Sequence, residues 1–336
     1  MSLNTISEVY RALLTPIPPF TWIGSPVSTL DVAAALRLCI VLRQLRDAEL
    51  KKFHESRIKD EKGTGSRHNE IEHPSLVKSI ATVLVVVYGG EAVMNPWLGI
   101  SPSFVFSPVV PALYSILTVL VEGLPYVPQM SMFTEFPLSL FDGITRSYLL
   151  CALIPPPVTT HASLAISQSP WTLILASLVV ANAGFLIVGM SSMLHPSGYS
   201  LTTPPELRAW GWTTADIWCA PVTTGIYALL THAQPFWADL HLLLVELARP
   251  YAIGGPLEVA KELDAETARS ACALALAVLF TGRTVKNFGP AFLKQLRFGR
   301  KKTLRPRKLP LFLILNHHSH LVADTKRHNG PKSKTQ

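Results

Sequence analysis

The sequence predicts an all-α, polytopic membrane protein: about seven transmembrane helices, a 3+3 inverted repeat with one C-terminal span added. Three observations predict it. Hydrophobic residues make up 49% of the 336 and charged residues only 15%, where a soluble domain carries about 25% charge; mean hydropathy is +0.31. The charge is also unevenly placed, sparse between Pro74 and Leu230 and dense in Lys and Arg over Arg43–Lys78 and Arg283–Lys334. Such a chain has a middle that dissolves in lipid and flanks that sit in water. The third observation is a short internal repeat.

A span needs about 20 mostly apolar residues to cross about 30 Å of hydrocarbon. Seven segments qualify: 27–45, 75–96, 103–124, 134–156, 170–194, 212–233 and 266–289. The second, fifth and seventh are the most continuous. Arg37 interrupts the first, Asp142 and Arg146 lie in the fourth and Asp216 in the sixth. Segments of this kind insert only with their charges turned to protein or water. Segment 235–253 carries Asp239, Glu246 and Arg249 and reads instead as an amphipathic helix lying in the interface.

Charge parity orients the chain. The stretch after span one (Lys51, Lys52, Arg57, Lys59, Lys62, Arg67) and the tail after span seven (Arg297, Arg300, Lys301, Lys302) are both basic, hence both cytosolic. They share a side only if an even number of spans separates them, and spans two to seven make six. The expected organisation is a lumenal N-terminal segment over 1–26, a transmembrane domain over 27–289 and a basic cytosolic tail over 290–336. The net charge of +8 is then that of basic membrane flanks drawn to anionic lipid, and nucleic acid is not an expected partner. Cys39, Cys151, Cys219 and Cys272 all fall in apolar segments without CxxC spacing, so neither a zinc site nor a disulfide framework is expected. The first residues lack a charged start followed by a long apolar run, so no cleaved signal peptide is expected.

The repeat links spans one and four. Pro26, Ser28 and Asp31 correspond without a gap to Pro137, Ser139 and Asp142, each set followed by an Arg and then a Cys. A three-span unit repeats in opposite orientation, which relates the halves by a pseudo-two-fold axis in the membrane plane. Matching positions then carry function: Gly89, Gly90 and Glu91 in span two, with Asn182, Gly184 and Gly189 in span five. These glycines either pack helices closely or open a kink whose freed carbonyls line an aqueous path. Glu91 either sets cation preference at a pore mouth or sits at the lumenal interface. The intramembrane charges Asp31, Arg37, Asp142, Asp216 and Arg283 should face a cavity or a counter-charge. Asp142 and Arg146, four apart on one face, either pair with each other or serve a pore; Arg37 and Arg283 either snorkel or respond to voltage or lipid.

The order of these features resembles the trimeric intracellular cation channels of the endoplasmic and sarcoplasmic reticulum, from about Pro26 to Arg300. The carriers are the Pro26–Asp31 helix start, His73-Pro74 before span two, the Gly89-Gly90 end of that span with its Leu98-Gly99 turn, and Phe136-Pro137 followed by Arg146. Asn182–Gly189 in span five, Glu206-Leu207, then Trp212-Thr213 and Ala215, and Arg283 complete the series. The resemblance implies a homotrimer in a lipid membrane of the endoplasmic reticulum or nucleus, each protomer passing a permeant monovalent cation, K⁺, as counter-ion during Ca²⁺ release. It also implies a phosphoinositide headgroup held on span four. There Arg146 falls on the family's lysine, but Ser147 replaces its glutamate and Leu150 its second basic residue. No other cofactor, no metal and no catalytic residue is expected.

Two tail motifs complete the reading. Lys332 and Lys334 in the last five residues resemble a retrieval address to the endoplasmic reticulum. Asn316-His317-His318-Ser319 resembles the core of glycerolipid acyltransferases, but Val322 stands where their aspartate should be. A membrane-embedded enzyme would need a general base near the bilayer. His161, His195 and His232 are the candidates, with no Ser-His-Asp pattern among them. A transporter or a non-conducting scaffold, also built on inverted repeats, is the remaining alternative.

Overall fold

The computed structural model describes residues 3–21, 27–60, 75–248 and 261–303. Among the described residues the regular secondary structure is helical, apart from an isolated bridge between Pro16 and Ser28. The principal helices are α1 (Leu3–Leu13), α2 (Thr29–Asp60), α3 (Leu76–Trp97), α4 (Val109–Gly123), α5 (Met132–Tyr148), α6 (Pro170–Met190), α7 (Ala215–Leu230), α8 (Pro235–Ala248) and α9 (Ala265–Thr303). The chain divides into Met1–Phe292, whose packing follows, and Leu293–Gln336, whose described part is helical as far as Thr303. The two tail motifs, Pro26 and His73-Pro74 lie outside the described residues.

Helix starts follow local chemistry. The first backbone N–H groups of a helix have no partner within it, and a hydroxyl side chain just before it supplies one. Ser75 accepts from the Lys78 N–H ahead of α3, and Ser169 from the Thr172 N–H ahead of α6, where Pro170 begins the helix without wasting a donor. At α5 the exchange is reciprocal: Ser131 Oγ accepts from the Thr134 N–H, and Thr134 Oγ1 accepts from the Ser131 N–H at 3.0 Å.

Among the described residues three helices are long and apolar enough to cross a membrane: Leu76–Trp97, Pro170–Met190 and Ala265–Lys294. Val109–Gly123 and Ala215–Leu230 are apolar but shorter. Large apolar side chains face outward on these elements. Ile116, Val119 and Leu120 on α4, and Leu274, Val278 and Val285 on α9, are all at least 40% exposed, a surface suited to lipid rather than water. The expected third span is broken: a Ser103–Phe106 turn precedes α4, with Pro108 between them. In the expected fourth, α5 gives way to a wide π turn over Leu149–Leu153 and then a short helix over Pro155–Thr159. The prolines cannot continue the α ladder, and Thr224 Oγ1 donates to the Leu150 carbonyl at 3.1 Å across the widened turn.

Contacts at the helix ends alternate. At one end the second half of α2 meets the end of α4, where Arg46 binds Glu122 and Arg43 donates to Leu124 O. The start of α3 is there through Ser79, the approach to α5 through Pro128, and the chain after α6 through His195, which touches Phe53. At other ends α1 clasps the end of α5 and the start of α9: Tyr10, wholly buried, donates to Ile144 O at 2.7 Å, and Ser7 bonds Ser270. Gln234, just after α7, donates to Ser167 O and Ser169 O before α6, and His161 bonds Leu98 O after α3. Helices α2 to α7 therefore alternate in direction, and the approach to α9 lies beside the end of α7, where the Leu263 N–H donates to Leu230 O at 2.9 Å.

The cores match this arrangement. α2, α3 and α4 share one cluster around Cys39, Val83 and Val121; a larger one joins α6 and α7 to Leu150, Cys151 and the Cys272–Phe280 stretch of α9. All four cysteines are free and buried.

Candidate functional site

The site is a polar stripe on α5. Glu135, Ser139, Asp142 and Arg146 recur at intervals of four, three and four residues, which puts them on one helix face. At 1.5 Å per residue the stripe runs about 16 Å, roughly half the thickness of a bilayer's hydrocarbon.

Each rung meets a different helix. Arg37 of α2 donates to both carboxylate oxygens of Asp142, Nε to Oδ1 at 3.2 Å and Nη2 to Oδ2 at 3.1 Å. The same Nη2 donates to Glu135 Oε2 at 2.7 Å. Side-chain exposure is 12% for Arg37, 9% for Glu135 and 27% for Asp142, so two carboxylates share one guanidinium almost out of solvent. The triad carries a net negative charge. Arg37 Nη1 and Glu135 Oε1 are buried with no partner, leaving one donor and one acceptor open on the same ion pair, a costly arrangement in an apolar setting. Ser139 Oγ lies 3.1 Å from Thr281 Oγ1 of α9. Directly after Asp142, Gly143 lets the α9 backbone approach: a Cβ there would sit 2.7 Å from Ala277 N.

Arg146 ends the stripe. Its Nη2 donates to Ala181 O at 2.9 Å and Asn182 Oδ1 at 3.2 Å on α6, both uncharged acceptors. Asn182 in turn donates to Leu178 O and to Ile217 O of α7. Thus Asp142 and Arg146 do not pair with each other, as helical spacing allowed. Asp142 turns to α2, Arg146 to α6, and the sign of the stripe changes along its length.

The remaining expected residues lie elsewhere. Gly89, Gly90 and Gly184 form the crossing of α3 and α6. A Cβ on Gly90 would lie 2.6 Å from Val180 C and Cα, one on Gly184 2.8 Å from Val86 C, and one on Gly89 2.9 Å from Gly184 Cα. Both helices run through the crossing without interruption, and α3 continues past Asn95-Pro96. Of the two readings of these glycines, close helix packing is the one that fits Gly89, Gly90 and Gly184. Gly189 sits at the end of α6, where its carbonyl accepts from Thr202 Oγ1. Glu91 accepts from Asn95 Nδ2 at 3.1 Å and from the N–H and hydroxyl of Ser103 at 2.6 and 2.8 Å, so it secures the turn before α4. Asp31 accepts from the Ser28 N–H at 2.8 Å and Oγ at 2.7 Å as a capping residue of α2. Its repeat counterpart Asp142 sits eleven residues into α5, so the two aspartates do different work. Asp216 and Arg283 form an ion pair between α7 and α9, with side chains 56% and 36% exposed.

Outside the spans, electrostatics act at helix junctions. Asp264 accepts from the Thr267 N–H at the start of α9, which holds its carboxyl below the usual range. His241 of α8 lies with Nδ1 2.8 Å from His232 Nε2, and burial and the neighbouring ring push its imidazole down. No metal-ligating cluster occurs among the described residues.

Glu135 and Thr281 escaped the sequence reading. Glu135 stands one turn into α5, where an acid reads as a favourable N-terminal charge; the i, i+4, i+7, i+11 spacing with Ser139, Asp142 and Arg146 is the signal that finds it. In comparisons with known proteins, no family model, no curated protein and no solved structure matches this chain.

Proposed function

We propose that the chain is a monovalent cation channel of the endoplasmic reticulum or nuclear membrane, passing K⁺ as counter-ion to Ca²⁺ movement and assembling as a homotrimer. The observation that carries this reading is the α5 stripe. It sets two carboxylates on one arginine inside an apolar bundle, where unneeded charge is strongly disfavoured. Its net negative part, with an open acceptor at Glu135 Oε1, suits a small cation.

The seven-span, 3+3+1 arrangement belongs to the same proposal, with α2–α4 and α5–α7 as the two halves and α9 as the added span. The alternating helix ends support it, as does the parity of basic segments, which directs the Arg46–Glu122 end to the cytosol and Tyr10 to the lumen. The ordered resemblance to the trimeric intracellular cation channels supports the choice of ion and compartment. Phosphoinositide at Arg146 is the weaker part of that resemblance, because this guanidinium is engaged by Ala181 O and Asn182.

Purified protein in planar bilayers should pass ohmic K⁺ current. Silence with and without Ca²⁺ or phosphoinositide would remove the reading. One observation favours a second: the α3–α6 crossing has no space for an ion path, so passage there needs the halves to move apart, as in a transporter. Flux that saturates with one solute would select it.

A further inference from the structure

A second feature lies where α7 passes into α8, away from the α5 stripe. α7 ends at Leu230, and the residues after it are tied down: the Thr231 N–H donates to Tyr227 O and the Ala233 N–H to Ala228 O, both at 3.0 Å. Between them His232 stands in the left-handed region, with φ 47°, which a residue other than glycine occupies only where its surroundings hold it. Gln234 donates to Ser167 O and Ser169 O, and Trp237 Nε1 donates to Gln234 Oε1 at 3.0 Å. Trp237 is buried with its ring over Gly225 of α7. Both sides of the bend are fixed by contacts that use neither imidazole.

The bend brings two rings together. His232 Nε2 lies 2.8 Å from His241 Nδ1, with ring centroids 5.1 Å apart and planes at 73°. Both side chains are half-buried, so solvent and ions reach them. Among the described residues neither ring bonds to any other group. Burial and the neighbouring ring hold His241 below its ordinary value, so at neutral pH it is an uncharged imidazole, the form that ligates metal. The N–H of one ring points at the lone pair of the other. Nine residues and a proline separate the two histidines in sequence, which gives no ligand spacing to read.

We infer that the His232–His241 pair binds a divalent late transition-metal ion, with Zn²⁺ as its probe, which replaces the hydrogen bond between the rings and bridges α7 to α8. Zinc sits about 2.0–2.1 Å from an imidazole nitrogen, and a tetrahedral angle puts two such nitrogens about 3.3 Å apart. The rings need part by only about 0.5 Å to admit it. The donating ring moves its proton to its outer nitrogen, so both rings stay neutral and both inner lone pairs go to the metal. Water completes the shell. Imidazole suits zinc, copper and nickel, whereas Ca²⁺ and Mg²⁺ require oxygen ligands. Two ligands without second-shell partners put the affinity in the micromolar range, below that of a three- or four-ligand centre, so the ion exchanges with solution. The inference is independent of conduction and of the membrane orientation.

The test uses the full chain, purified in detergent without a polyhistidine tag. It is treated with diethyl pyrocarbonate, which attacks the free lone pair of a neutral imidazole, and each modified histidine is mapped by mass spectrometry. Mapping by residue keeps the pair apart from His317, His318 and His320 of the tail. About 100 µM Zn²⁺, roughly tenfold above a dissociation constant of about 10 µM, should slow modification of His232 and His241 about tenfold. Ca²⁺ at the same concentration should not. His241→Gln should leave His232 insensitive to Zn²⁺, whereas His241→Cys, which keeps a ligand, should retain the protection. If His241→Gln fails to fold by gel filtration, His232→Asn, which tolerates the left-handed turn, decides through the response of His241. Modification unchanged by Zn²⁺ in wild type, protection of His232 that survives His241→Gln, or equal protection by Ca²⁺ would overturn the inference.

Discussion

Replacing Gly90 with alanine tests the packing that joins α3 to α6. The new Cβ would lie 2.6 Å from Val180 C and Cα, and closer still to the Val180 carbonyl oxygen. Ordinary contact begins at 3.4 Å, so α6 must retreat by nearly an ångström. The obstruction is backbone, which cannot rotate away as a side chain would. Overpacking of this kind costs about 3 kcal/mol at the upper end of its usual range, and alanine returns up to about 1 kcal/mol of helix propensity. The net loss is about 2 kcal/mol, a roughly thirtyfold shift in the folded-to-unfolded ratio. Gly282→Ala is the control, because nothing lies within 4 Å of its added Cβ, and there the propensity gain should stand alone. Unfolding of detergent-solubilised protein, followed by loss of the monodisperse gel-filtration peak on heating, should rank Gly282→Ala at or above wild type and Gly90→Ala well below it. Equal stability of Gly90→Ala and wild type would refute the close crossing, and would reopen a gap between α3 and α6.

Arg37→Gln should destabilise by about 3 kcal/mol, because it leaves the buried Glu135 carboxylate and the half-buried Asp142 carboxylate without a cation; adding Glu135→Gln should recover part of the loss in the same heating assay. Tyr10→Phe removes the hydroxyl that donates to Ile144 O and should cost about 1 kcal/mol, read as easier proteolysis at α1. Lowering pH should loosen the α7–α8 junction. The His241 imidazole is held below its ordinary 6.5, so its contribution is complete above that value and falls away as pH drops through 6.5 toward the depressed one. Hydrogen exchange of residues 231–241 at pH 7.5 and 5.5 should show this in wild type and much less in His241→Gln.

The legible parts of this molecule are those set by local pattern. The continuous apolar runs of α3, α6 and α9 meet a bilayer's requirement by composition alone. Arg37, Asp142 and Arg146 stood out because charge in an apolar run demands a partner. The partners did not stand out. Arg37 reaches across 105 positions to Asp142, and no helical spacing encodes which of several acids it will meet. Helical adjacency made an Asp142–Arg146 pair equally plausible, and tertiary contacts with α2 and α6 overrode it. Glycine was ambiguous for a related reason. Gly90 tolerates both a kink and a close neighbour, and only Val180 on another helix decides between them. The Pro-x-Ser-x-x-Asp repeat reads the same in both halves, yet at α2 it caps a helix and at α5 it lies within one. α1 went unread because a short amphipathic segment gives no sign of the groove that buries Tyr10.

The most direct test of the account is the reversal potential of single-channel current under a KCl gradient, measured for wild type and for Glu135→Gln. The account predicts an ohmic wild-type current reversing near the K⁺ equilibrium potential, with cation selectivity or conductance reduced in the variant. Absence of current, reversal near the Cl⁻ potential, or a variant identical to wild type would contradict it.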